Sequence, residues 1–104
     1  MNKPTNIKQM LFRIGLAKKA GALIAGTDMV CDAIRQGKVI SVVSSNDVSD
    51  NPAKRISDCC THHGIRLMIC ETSKEELGAA IGKPYAACVG ITDKNLSELI
   101  CRNL

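Results

Sequence analysis

Glycines cut this chain into pieces too short for anything but a layered fold of small helices and short strands. Gly21, Gly26, Gly37, Gly64 and Gly82 each fall at a change of pattern, between stretches whose apolar residues recur every three to four positions and brief β-branched runs. Glycine enters left-handed backbone at the lowest cost, so a glycine just past an amphipathic stretch reads as a helix stop.

Between these stops the periodicity is regular. From Ile7 to Ala20 the apolar Ile7, Met10, Leu11 and Ile14 share one face of a predicted first helix, and Ala22 to Ala25 reads as a short strand. Thr27 is the expected N-cap of a second helix ending at Gly37, and Val39 to Ser45 reads as a buried strand. A third helix is expected from Pro52 to His63, with Ile56 and Cys59 or Cys60 inward, and then an apolar strand from Ile65 to Cys70. Ser73-Lys74-Glu75-Glu76 has capping-box spacing and opens a fourth helix that stops at Gly82, with Pro84 beyond. Ala86 to Thr92 is the last strand, and Asp93 can cap a closing helix with Leu96, Leu99, Ile100 and Leu104 on its apolar side.

Alternation of this kind predicts an α/β fold, a three-layer αβα sandwich with a mostly parallel or mixed sheet of about four strands. The 104 residues leave room for one domain, residues 1–104. Its core must be aliphatic, because Phe12 and Tyr85 are the only aromatics. That scarcity disfavours readers of single-stranded nucleic acid that stack bases on aromatic platforms. The net charge of +4, from 14 Lys and Arg against 10 Asp and Glu, permits a polyanionic partner without requiring one. With no apolar run of bilayer length and no secretory leader pattern, the expectation is a cytoplasmic protein away from membranes. Its six cysteines would then be free thiols, most of them filling the core.

Several segments occur together in a distinctive order: Gly15-Leu16-Ala17-Lys18-Lys19-Ala20-Gly21, the Gly26-Thr27-Asp28 turn with Ala33-Ile34-Arg35-Gln36-Gly37-Lys38 after it, and Glu71 through Leu77-Gly78 to Gly82. On these the chain resembles the ribosomal L-seven-Ae and L-thirty-e family, whose members bind kink-turn RNA, and especially its small bacterial ribosome-associated relatives. The resemblance runs from Leu11 to the closing helix. It implies an RNA-binding protein, ribosomal or ribosome-associated, that recognises a kink-turn or a similarly bent element.

What the resemblance implies for the site is a surface made of Gly26, Thr27, Asp28, Met29 and Asp32 together with Glu71, Thr72, Ser73 and Lys74. The chemistry fits, since unpaired N–H groups at a helix start hold phosphates or base acceptors while a glycine admits nucleic-acid backbone closely. Lys18, Lys19, Arg35 and Lys38 flank the Gly26 turn in sequence and could form a basic rim, or simply the solvated faces of two helices. Tight kink-turn binders carry Asn, Glu and Lys where this chain has Asp28, Met29 and Asp32. A carboxylate at Asp28 accepts from a base but cannot donate, and one at Asp32 repels phosphate.

Two other readings stand beside this one. Thr27 and Asp28 can be plain helix caps, and the chain a protein-interaction or assembly factor that keeps the fold without specific RNA recognition. Cys59-Cys60-Thr61-His62-His63 has the look of a metal cluster, but a structural zinc needs a second spaced pair and the chain offers none. No nucleophile turn, triad or carboxylate dyad is evident, so the expectation is neither an enzyme nor a metal, cofactor or small-molecule binder.

Overall fold

The computed structural model describes residues 7–101. Five helices alternate with four strands: α1 (Ile7–Lys19), β1 (Leu23–Ala25), α2 (Thr27–Arg35), β2 (Ser41–Ser44), α3 (Asp50–His63), β3 (Arg66–Ile69), α4 (Lys74–Ala80), β4 (Cys88–Ile91) and α5 (Lys94–Cys101). The expected Leu104 contact lies outside the described residues.

The strands form one mixed sheet in the order β1-β4-β2-β3. β2 and β3 run parallel, while β4 lies between β1 and β2 and is antiparallel to both. Strand side chains alternate faces, and the core is therefore split in two. Val43, Met68, Val89 and Ile91 face α1, α4 and α5, meeting Met10, Ile14, Leu77 and Ile100. Val42 and Cys88 point the other way, onto Val30 and Ile34 of α2 and Ile56 and Cys60 of α3. That is the expected three-layer sandwich, with helices on both faces.

Local signals explain most boundaries. Gly64 ends α3 in left-handed backbone at φ 66°, and its N–H and that of Ile65 return to Thr61 and Cys60. The capping box of α4 is complete, with Ser73 accepting from the Glu76 N–H at 3.0 Å and Glu76 accepting from the Ser73 N–H at 2.9 Å. The Ser73 N–H first, and then the Ser73 hydroxyl, hold the Glu76 carboxyl below its ordinary range. Asp93 caps α5 by accepting from the Leu96 N–H at 2.9 Å.

One expectation needs correction. Thr27 is the first residue of α2 rather than its N-cap; that position belongs to Gly26, which has φ 97° and no capping side chain. The apolar run at Ile65–Cys70 supplies β3, which lies at the edge of the sheet and leaves Ile69 69% exposed. The cysteines are free thiols, all buried except the half-buried Cys59. Among the described residues no helix is long and apolar enough to cross a membrane.

Candidate nucleic-acid interface

Topology gathers four loops at one end of the sheet. β1, β2 and β3 all finish there and lead into α2, α3 and α4, while the antiparallel β4 begins there. Backbone hydrogen bonds join the loops. The Gly26 N–H donates to the Cys88 carbonyl, the Ser45 N–H to Ala87, the Asn46 N–H to Thr72 and the Ala86 N–H to Lys74, at 2.8–3.1 Å.

Between them lies an open cleft of about 580 Å³. Gly26 and Thr27 line it together with Ser49 and Pro52, Lys74, and Lys83 and Tyr85. The Gly26 turn and the loop into α4 therefore share one concave surface, although nearly fifty residues separate them along the chain.

Hydrogen-bonding capacity in the cleft is unevenly spent. Helix geometry leaves the N–H groups of Thr27, Asp28 and Met29 without an intrahelical acceptor, since the first helical bond runs from the Val30 N–H to the Gly26 carbonyl, and Gly26 has no side chain to cap them. The start of α3 also lacks a side-chain cap at Ser49. The α4 start, by contrast, is closed by its capping box, and its Lys74 N–H donates to Asp47 at 3.0 Å. The free donors of this end thus belong to α2 and α3.

The Thr27 hydroxyl turns inward. It contacts the thiol of Cys88, which burial pushes up to about 12 against the lowering effect of that hydroxyl contact. The thiol is inert at neutral pH, and Thr27 offers the cleft its backbone.

The expected site residues divide between several places. Gly26, Thr27 and Lys74 line the cleft, and Ser73 holds the cap beside it. Asp28, Met29 and Asp32 are exposed on α2, with Met29 62% accessible. Glu71 is exposed, but Thr72 is buried at 2%, its carbonyl bound by Asn46 and its hydroxyl directed to Glu76 at 3.4 Å. Thr72 shapes the loop from within and has no free side-chain group to present.

The basic rim does not close around Gly26. Lys18 and Lys19 end α1 at the opposite end of β1, and Lys19 lines a separate groove between α1 and α4. Arg35 and Lys38 lie at and beyond the far end of α2, a helix of 9 residues and so about 13 Å long.

Sequence reasoning missed Lys83, Pro84 and Tyr85 between α4 and β4, and Ser49 and Pro52 before and within the first turn of α3. One signal was available. Tyr85, one of two aromatics in the chain, follows a helix stop and a proline, where burial is not expected, and it is 66% exposed.

The acidic residues of α2 do not stand alone. Asp32 pairs with Arg35 at 2.9 Å, and Asp28 pairs with Arg55, which reaches across from α3. The hydrogen bond from Arg55 to Asp28, then the negative charge of Asp28, hold that guanidinium firmly protonated. His62 and His63 are exposed at the end of α3, and burial pushes the Cys60 thiol up to about 11. Among the described residues no three His, Cys, Asp or Glu side chains are grouped to hold a metal.

Comparison with known proteins settles the lineage. The sequence pattern of the Ribosomal protein L7Ae/L30e/S12e/Gadd45 family matches residues 8–100. The chain belongs to this family. Its relatives include the RNA-binding protein YlxQ of Bacillus subtilis (strain 168), 32% identical over 85 residues, which cover 82% of this chain and 84% of that protein. YlxQ of Enterococcus faecium is 33% identical over 98 residues, covering 94% and 92%. Among solved structures, a protein of unknown function from Bacillus halodurans superposes with a TM-score of 0.84 at 29% identity, over 89% of this chain and 93% of that one. The Giardia lamblia 15.5kD RNA binding protein superposes at 0.76 and 17% identity, over 98% and 86%, and so shares the fold.

Proposed function

We propose that this protein binds RNA through the four-loop cleft, that its target is a kink-turn or a similarly sharp bend, and that it acts as a ribosomal or ribosome-associated protein without catalysis of its own. The observation that carries this reading is the uncapped start of α2. Its first residues, Gly26 and Thr27, line the same concave surface as Lys74 and Lys83. Family membership and the printed names of the YlxQ relatives support RNA as the partner.

The roles follow from the chemistry. Gly26 lines the cleft and, having no side chain, lets the RNA backbone approach closely. The N–H groups of Thr27, Asp28 and Met29 donate to phosphate or base acceptors, and the α2 dipole favours the negative partner. Lys74 and Lys83 supply salt-dependent attraction without sequence choice. Met29 and Tyr85 present apolar surface against which unstacked bases can pack. A sharply bent RNA suits this arrangement, since it exposes base edges that regular A-form helix hides.

Gel-shift titration at a fixed, stated salt concentration tests the proposal with a kink-turn RNA and a control whose non-Watson–Crick pairs are replaced by regular ones. The expected result is binding at least about tenfold tighter to the kink-turn, a difference of about 1.4 kcal/mol. Equal weak binding to both RNAs would remove the bent-RNA claim.

A further inference from the structure

Asp28 and Arg55 are 27 residues apart in sequence, on different helices, yet their side chains form an ion pair beside the uncapped start of α2. Asp32, one turn further along α2, carries a guanidinium of its own in Arg35. Two acidic residues on a surface meant for a polyanion are costly unless neutralised, because each sets a negative charge against phosphate. Here each is matched by an arginine. One oxygen of Asp28, Oδ1, is bound by Arg55, which leaves Oδ2 as an acceptor whose direction the pair fixes.

We propose that Arg55 is a positioning residue for RNA recognition: from α3 it cancels the charge of Asp28 and orients its carboxylate as a fixed acceptor for a base amino group. The inference rests on the RNA-binding reading above and deepens it by naming the residue that makes an acidic reader compatible with RNA. The ligand chemistry is an exocyclic N–H donor of a base at the bend, of the kind that guanine, cytosine and adenine all carry.

A double-mutant cycle in the full chain tests it, read by gel shift with the kink-turn RNA and its regular control. Arg55→Gln leaves Asp28 uncompensated and is expected to weaken kink-turn binding about tenfold, with a smaller loss at high salt because the effect is charge repulsion. Arg55→Lys, which keeps the charge, is expected to recover part of the loss. Asp28→Asn combined with Arg55→Gln removes both charges but loses the orienting contact, so it is expected to bind several-fold more tightly than Arg55→Gln alone and still more weakly than the unaltered protein. Both residues are exposed, and the melting temperature of Arg55→Gln should match the unaltered protein, which separates the binding effect from misfolding.

Arg55→Gln binding as tightly as the unaltered protein would overturn the inference. So would a double variant as weak as Arg55→Gln alone, because Arg55 would then contact RNA directly. If the unaltered protein binds neither RNA, the RNA-binding reading fails and the inference falls with it; if it binds and only the cycle fails, the reading survives.

Discussion

Gly78→Ala is expected to lower the melting temperature by roughly 10–25 °C, which follows from a loss of about 3 kcal/mol in a chain of this length. Gly78 lies inside α4, where alanine ordinarily favours the helix by about 0.5–1 kcal/mol. At this position, however, an added Cβ would lie 2.4 Å from the Cα of Tyr85, 2.6 Å from its carbonyl carbon and 2.7 Å from its nitrogen. All three are backbone atoms, so no flexible side chain can give way. The Lys83–Tyr85 segment must move off α4, or α4 off the sheet. Either shift opens the cleft on the side that carries Lys83 and Tyr85, and RNA binding is expected to weaken together with stability. Thermal melting followed by circular dichroism checks the first effect and gel shift the second. A Gly78→Ala variant that melts as the unaltered protein does would show that the approach of Tyr85 to α4 is not tight.

The second large effect belongs to Gly26. Its backbone, φ 97° and ψ 143°, is one that L residues rarely adopt, and Gly26→Ala is expected to cost about 1–3 kcal/mol. Gly37 makes a matched control, since it also has positive φ, 73°, and also faces open space, but it lies past the far end of α2. Gly37→Ala should lose stability on a similar scale, about 1–2 kcal/mol. RNA affinity separates the two variants. A Cβ at position 26 intrudes where RNA backbone is proposed to approach, so Gly26→Ala should bind at least about tenfold more weakly, while Gly37→Ala should bind as before at a temperature where both are folded. Equal losses in both would place the effect in stability alone.

Much of this fold could be read locally. Each helix stop at Gly21, Gly37, Gly64 and Gly82 is a single-residue decision about backbone conformation, and all four have positive φ. The Ser73 box and the Asp93 cap are contacts within three residues. The inward faces of α1 and α3 follow from spacing, and Ile14, Ile56 and Cys60 are buried as that spacing requires.

What the sequence concealed is long-range. The last strand inserts between β1 and β2, and nothing in the composition of Ala86–Thr92 distinguishes a central antiparallel strand from an edge one. That insertion brings Lys83, Pro84 and Tyr85 to Gly26. For the same reason Thr72 looked available and proves buried, and Lys18 and Lys19, close to Gly26 along the chain, end up at the other end of β1. The pairing of Asp28 with Arg55 depends on α2 packing against α3, a contact no local pattern encodes. Asp32 read alone looked repulsive to phosphate, but its partner Arg35 is three residues on, a spacing that places both on one helix face.

Amide chemical-shift mapping of the labelled protein during titration with kink-turn RNA tests the shared cleft most directly, because it reports each loop separately. The largest shifts are expected together on Gly26–Met29, Ser49–Asn51, Lys74, Lys83 and Tyr85–Ala87. Shifts concentrated on α1 and α5, with those four loops unmoved, would contradict it.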